Sequence, residues 1–439
     1  MSNKEKAKIL NELLEIIIQS SPQCQECFSA YRSWISNKNL AFIVPHQYAQ
    51  AYEILSMSIY LGDKFISTNF SPKTALTHAE KKIISLKKLG RNFDESSASS
   101  IFEELYKISP ETKKIFAPIS GIRLSNHSKF SIGAYVICHS SQFTIPISQA
   151  PCMCIGVTVE DVYDDIIALN IATNLFIDFC RIVHFFLGKF DNNHVIKIGL
   201  PALPSLSPTQ MYVESSSFMI LGGQDEFLGA STNNRTLEII DIDNNLFIDH
   251  TQLSPLWNMH VHSIKDGKTL SNNDRKKFNK KLSTRIINSS IATGEAAKNE
   301  DIKNSMIYAC VALETLLSYD HETFINDDNS FFKRVISAVR YVFTKKKKSL
   351  GITERMAISM AFILGKDKKS YDHVYSRVKK LYGMRSALVH GGQKIITMND
   401  SAELGSFVRA AIAILLIDSR FTKMETIDEL WTYILNSKQ

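Results

Sequence analysis

Residues 299–319 read NEDIKNSMIYACVALETLLSY, and their apolar positions decide the class of the region around them. Met306, Ala309, Cys310, Leu313, Leu316 and Leu317 recur at three- and four-residue steps, the period of one face of an α-helix, with Glu314 at the edge of the stripe. A helix with one apolar stripe needs neighbours to cover it. The sequence offers them on both sides, with helical periodicity at 271–292, 328–344, 352–364, 371–390, 400–419 and 422–436. Asp400 precedes Glu403 by three residues, the spacing of a capping box, and Gly391 and Gly392 follow the helix predicted to end at His390. Residues 271–439 are therefore expected to form an all-α bundle.

Upstream the texture changes. Between about 115 and 270 the segments FSIGAYVICHS, FTIPIS, CIGVTVE, VIKIGL, MYVESSSFMIL and TLEIIDID are short, rich in Ile, Val, Phe and Tyr, and bounded by Gly, Pro, Ser and Asn. They read as strands, interrupted by one long helix at 162–186 and a turn-rich PALPSLSP at 201–208. No second helix alternates with the strands, which argues against a doubly wound parallel sheet. Residues 1–114 read as helical, at 3–20, 46–61, 76–90 and 97–108. The expected fold class is an α+β N-terminal region followed by an all-α C-terminal bundle. Its expected parts are a helical segment (1–114), an α+β sensor or regulatory domain (115–270) and the bundle (271–439).

Composition narrows the possible classes further. The chain has 439 residues, 44% hydrophobic and 22% charged, which excludes collagen-like, low-complexity and largely disordered proteins and gives room for two or three cores. The longest apolar stretch, 166–188, carries Asn170, Asn174, Asp178, Arg181 and His184, so it reads as a buried helix and no membrane partner is expected. The N-terminus places Glu12 and Glu15 among its apolar residues and lacks a small-residue cleavage site, so a cytoplasmic location is expected. Seven cysteines, an odd number spread over a large chain, argue for reduced thiols. Charge is uneven: residues 281–439 hold 24 Lys and Arg against 17 Asp and Glu, whereas residues 1–280 hold 27 of each sign. The whole positive excess lies in the bundle, where it favours a phosphate-bearing partner.

Within the bundle, residues 381–392 read LYGMRSALVHGG. Arg385 and His390 are five positions apart, about 140° around a helix, so they cannot share a face in mid-helix. They converge only at a helix end, and Gly391 and Gly392 supply one. A long helix containing ALETLL, then about 70 residues, then LYxxRSxLVHGG resembles the Apea-like HEPN domain family over roughly residues 285–439. The resemblance implies a helical domain that dimerises and brings two Arg-x4-His motifs into one cleft. It also implies metal-independent endoribonuclease activity used in phage defence or toxin-like growth arrest. Carried onto this chain, Arg385 and His390 are the catalytic pair, with Glu314 orienting one of them.

These residue types suit RNA cleavage. The 2′-hydroxyl of RNA can attack its neighbouring phosphodiester, and an imidazole with a pKa near 6.5 exchanges the protons involved near neutral pH. Arginine offers a permanently charged fork to the phosphate oxygens. No cofactor or metal is required. RNA, tRNA included, is the expected substrate, a second copy of the chain the expected partner, and a phage-derived trigger or inhibitor protein a candidate partner. The alternative is a non-catalytic RNA-binding or dimerisation module of the same fold.

Other residues are weaker candidates. Tyr382 is placed to stack on a base, or else belongs to the core. Lys345, Lys346, Lys347 and Lys348 form a basic run that either contacts RNA or is a solvated loop. Cys24 and Cys27 have zinc-like spacing, and Cys152 and Cys154 can supply two further ligands, but the second pair lacks the two-residue gap and isolated thiols are expected. His260 and His262 would share one face of a strand as surface histidines. Asp161, Asp164 and Asp165 fit helix capping better than metal binding. No Walker loop, GxSxG elbow, HExxH or dinucleotide fingerprint occurs.

Overall fold

In a computed structural model of the chain, residues 1–23, 30–37, 40–125, 127–143, 152–188, 196–199, 211–221, 227–242, 254–260, 280–318, 351–389 and 395–437 are described. The chain divides into two compact units, Met1–Ile115 with Thr158–Asn174, and Phe116–Val157 with Leu175–Gln439.

The first unit begins with helix α1 (Asn3–Ile16), held at its start by a reciprocal capping box between Ser2 and Glu5. The sequence predicts this helix to continue to residue 20, but it stops at Ile16 and strand β1 (Ile18–Ser20) follows. β1 pairs antiparallel with β3 (Leu40–Val44), which pairs on its other side with β2 (Arg32–Asn37). The expectation of an all-helical lead-in is corrected by this three-stranded sheet. Ile18 finds its partner at Ile43, 25 residues away, and local periodicity cannot register such a pairing.

Helices α2 (Ala49–Leu61), α3 (Lys64–Asn69) and α4 (Pro72–Lys88) follow, then two short ones, α5 (Glu95–Ser99) and α6 (Glu103–Tyr106). Their starts follow the sequence: Asp63 caps α3, and Ser71 caps α4 with Pro72 in its first turn. Leu10, Leu13, Phe42, Phe70, Phe102 and Leu105 meet in one core, each contributing about 1.5–3 kcal/mol by leaving water.

A five-stranded sheet, most of whose residues belong to the second unit, has the order β6-β7-β8-β4-β9 and is built from β4 (Glu111–Ser120), β6 (Lys129–Ile132), β7 (Tyr135–His139), β8 (Met153–Val162) and β9 (Lys197–Ile198). Its β6–β7, β7–β8 and β4–β9 pairs are antiparallel. The short β5 (Ile122–Arg123) pairs in parallel with β12 (Ile240–Asp241), and β10 (Met211–Leu221) with β11 (Phe227–Glu238) makes a separate antiparallel ribbon. Most strands lie where the sequence predicts; residues 144–148 of FTIPIS fall outside the described residues.

Helix α7 (Asp165–Leu187) is long and apolar enough to cross a membrane by length and composition alone. From Leu175 onward it buries Phe176, Phe179, Ile182, Val183, Phe185 and Phe186, and its Arg181 pairs with Asp178 at 3.2 Å and Glu295 at 2.6 Å.

The C-terminal part of this unit is rich in helices: α8 (Leu282–Lys298), α9 (Ile302–Leu317), α10 (Ile352–Leu364), α11 (Lys368–Val389), α12 (Met398–Ile417) and α13 (Ile427–Asn436). The helix expected at 328–344 lies outside the described residues. Thr397 caps α12 in a box with Asp400, so the expected Asp400–Glu403 box is corrected; Glu403 instead receives Arg377 Nε at 2.7 Å. Ser289 Oγ donates to the Ala312 carbonyl at 2.8 Å and Ser305 Oγ to that of Ala296 at 2.7 Å, which pins α8 against α9. Both serines are fully buried, so these bonds satisfy groups that would otherwise be costly to enclose.

Candidate functional site

On α9 the apolar stripe of Met306, Ala309, Cys310, Leu313, Leu316 and Leu317 is completely buried, and Glu314 emerges at its edge with its side chain 25% exposed. On α11 the buried positions are Val374, Val378, Leu381, Tyr382 and Met384. Arg385 stands three residues after Tyr382 and so shares its side of the helix.

The two helices bring three of the expected residues together. Arg385 Nη1 lies 3.1 Å from Glu314 Oε1, and the Tyr382 hydroxyl donates to the same oxygen. One carboxylate oxygen thereby fixes the guanidinium and is itself fixed by the phenol. The Arg385 side chain remains 40% exposed, and a guanidinium carries five N–H donors in a rigid plane, so the ion pair with Glu314, the one it makes among the described residues, leaves donors for an anion.

The surrounding chemistry is that of positioning groups. Burial, with the hydrogen bond to Glu314 second, holds the Tyr382 phenol well above its ordinary range, so it stays a proton donor. Cys310, one turn before Glu314, has its thiol pushed up to about 12, first by burial and then by the Glu314 charge. A thiol so held is no nucleophile. The Tyr382 ring is only 5% exposed, so stacking on a base is corrected: its hydroxyl, not its face, takes part in the site.

His390, Gly391 and Gly392 lie outside the described residues, as do Lys345, Lys346, Lys347 and Lys348, and also Cys24, Cys27 and His262. α11 is helical through Val389, so Arg385 sits in its last turns. His260 is placed otherwise than expected. It ends a helical stretch at 255–260, is 3% exposed, and packs edge-on to Tyr135 with their ring centroids 5.9 Å apart. The surface-strand expectation is corrected because Trp257 and His260, three apart, both turn into an aromatic core with Tyr135 and Phe179.

Asp164 Oδ1 accepts from the Ile166 amide at 2.7 Å and Oδ2 from the Ser71 amide at 2.7 Å, while Asp165 pairs with Lys113. These are capping and tethering roles. Among the described residues no group of three or more His, Cys, Asp and Glu is arranged to hold a metal ion.

The link from Tyr382 to Glu314 was not anticipated from the sequence, although the three-residue step from Tyr382 to Arg385 is its signature. Compared with protein-family models, curated proteins and solved structures, the chain matches none.

Proposed function

We propose that the C-terminal helical region is a metal-independent endoribonuclease of HEPN type, acting in phage defence or growth arrest, with Arg385 and His390 as its catalytic pair. The observation that carries this reading is the half-exposed Arg385 guanidinium tied at one nitrogen to Glu314, itself held by Tyr382. An arginine braced in this way meets a phosphate without first losing the entropy of a free side chain. The positive excess of residues 281–439 adds long-range attraction for RNA.

In this scheme Arg385 binds the non-bridging oxygens of the scissile phosphate as negative charge grows on them. His390 takes the proton of the attacking 2′-hydroxyl or returns one to the departing 5′-oxygen. Two copies of the chain place two such pairs around one cleft. Glu314 and Tyr382 are positioning residues that act through Arg385.

Full-length protein incubated with total RNA or tRNA in excess EDTA is expected to cleave. Arg385→Ala and His390→Ala are each expected to lose at least about a hundredfold in rate, the usual cost of removing an oxyanion donor or a general acid–base group. Activity that persists in both variants would overturn the assignment. The Arg385–Glu314 pair is also an ordinary helix–helix ion pair, which favours a second reading: a non-catalytic RNA-binding or dimerisation module. That reading predicts RNA retention without cleavage, and it predicts indifference to His390→Ala.

A further inference from the structure

Strands β7 and β8 bring three thiols to one place. Cys138 lies directly across the antiparallel ladder from Cys154, and paired residues project from the same face of a sheet. Cys152, two positions before Cys154, projects to that face as well, and its Sγ is 4.0 Å from Cys154 Sγ. Cys138 and Cys154 are buried; Cys152 is partly exposed at the point where the chain enters β8.

We propose that Cys152 and Cys154 are an oxidation site, forming an intramolecular disulfide by exchange with a low-molecular-weight disulfide such as oxidised glutathione. The Cys152 thiolate attacks one sulfur of the oxidant, breaking its S–S bond, and one glutathione leaves as a thiolate that takes up the proton Cys152 lost. The Cys154 sulfur then attacks Cys152 Sγ, the mixed disulfide breaks, and the second glutathione leaves with the Cys154 proton. Two protein thiols and one small disulfide become one protein disulfide and two small thiols.

The order of attack follows from exposure. Cys152 alone of the three is open to a small oxidant, so it reacts first. Cys154 is enclosed, and its thiol is pushed up to about 12, chiefly by burial and then by Cys152, so it serves only as the resolving sulfur. Extended residues two apart have Cα atoms about 6.6 Å apart, at the upper end of the range a disulfide spans, so the backbone must bend at Cys152 to bring the two Cβ atoms to about 4 Å. The sulfurs must close by about 2 Å, and Cys152 stands just before the regular strand, where its amide donates to Ser140 Oγ at 2.9 Å and its carbonyl accepts from the Ser140 amide at 2.8 Å, so closure shifts these two contacts and not the β7–β8 ladder. A metal ion is the competing occupant of clustered thiols, but among the described residues no group of three or more His, Cys, Asp and Glu, Cys138 with this pair included, is arranged to hold one.

Met153 between the two cysteines makes the test direct. Reduced full-length protein is treated with oxidised glutathione, remaining thiols are alkylated, and the chain is cut with cyanogen bromide, which cleaves after Met153. Free thiols are expected to fall from seven to five, and the fragments on either side of Met153 should stay joined until a reductant is added. Cys138→Ser should leave this link intact, and Cys152→Ser should abolish it. In Cys154→Ser, glutathione should remain attached at Cys152. Separate fragments in the wild type would overturn the proposal, as would a Cys138–Cys154 link or equal stable glutathionylation of Cys152 in wild type and Cys154→Ser.

Discussion

At the scale of single residues, the environment of Glu314 decides what the candidate site can do. Two donors from one helix, the Tyr382 hydroxyl and the Arg385 guanidinium, meet on one oxygen from another. Tyr382→Phe removes one donor without changing ring packing, and it should lower stability by about 1 kcal/mol, measured by urea unfolding. In the cleavage assay the same variant should reduce kcat while leaving the pH profile in place, because it loosens Arg385 and does not touch the proton-transfer group. His260 offers an independent test. The Tyr135 hydroxyl donates to the Leu175 carbonyl at 3.0 Å, so its oxygen is left to accept from His260 Nε2–H at 3.3 Å, and Nδ1 has no hydrogen-bond partner among the described residues. Burial lowers the imidazole pKa from 6.5 to about 4. The unfolded chain therefore binds the proton first on acidification. Stability from this group is complete above about pH 6.5 and declines as pH falls toward 4, by on the order of 3 kcal/mol in total. His260→Gln should flatten the pH dependence of the urea midpoint across that window; an unchanged slope would contradict it. The positions of Glu314, at the edge of an apolar stripe, and of Arg385, within the motif, were readable in the sequence. The enclosure of Tyr382 and His260 was not, because burial of an amphipathic ring depends on which neighbour covers it.

At the scale of elements, close approach sets the tolerances. A Cβ on Gly294 of α8 would lie 1.8 Å from the Arg181 carbonyl oxygen of α7, so only glycine lets these backbones meet. Gly294→Ala should destabilise by on the order of 1–3 kcal/mol despite alanine's better helix propensity, read as a lower thermal midpoint. A neutral or stabilising effect would show that the two helices are not packed this closely. Helix α10 was legible to the residue, 352–364, because its apolar period is unbroken and Gly351 and Gly365 bracket it. Helix α1 was overextended: the run Ile16, Ile17, Ile18 contains no breaker, and a strand pairing with Ile43 ends the helix. The cap of α12 was misplaced by three residues, from Thr397 to Asp400. Thr397 with Asp400 and Asp400 with Glu403 both have cap spacing, and only the geometry selects between them.

At the scale of the whole molecule, the sequence distinguished a mixed N-terminal region from a helical C-terminal one, through a change from short β-branched runs to long amphipathic periods. It placed the boundaries by texture along the chain. The compact units are assembled from separated segments, since residues 158–174 group with the first 115. Such grouping is long-range and leaves no local trace. If the proposed cleft is shared between two copies, the full-length protein should run in solution as a particle of twice 49.6 kDa by light scattering; a monomer at the concentrations that cleave RNA would contradict a two-copy cleft. The most direct measurement is a crystal structure of the full chain with an oligoribonucleotide carrying one 2′-deoxy nucleotide, which blocks attack at that position. The phosphate after the deoxy sugar is predicted to lie within hydrogen-bond reach, about 2.6–3.2 Å, of both the Arg385 guanidinium and the His390 imidazole. A phosphate bound elsewhere, with these two side chains facing separate interiors, would contradict the nuclease proposal.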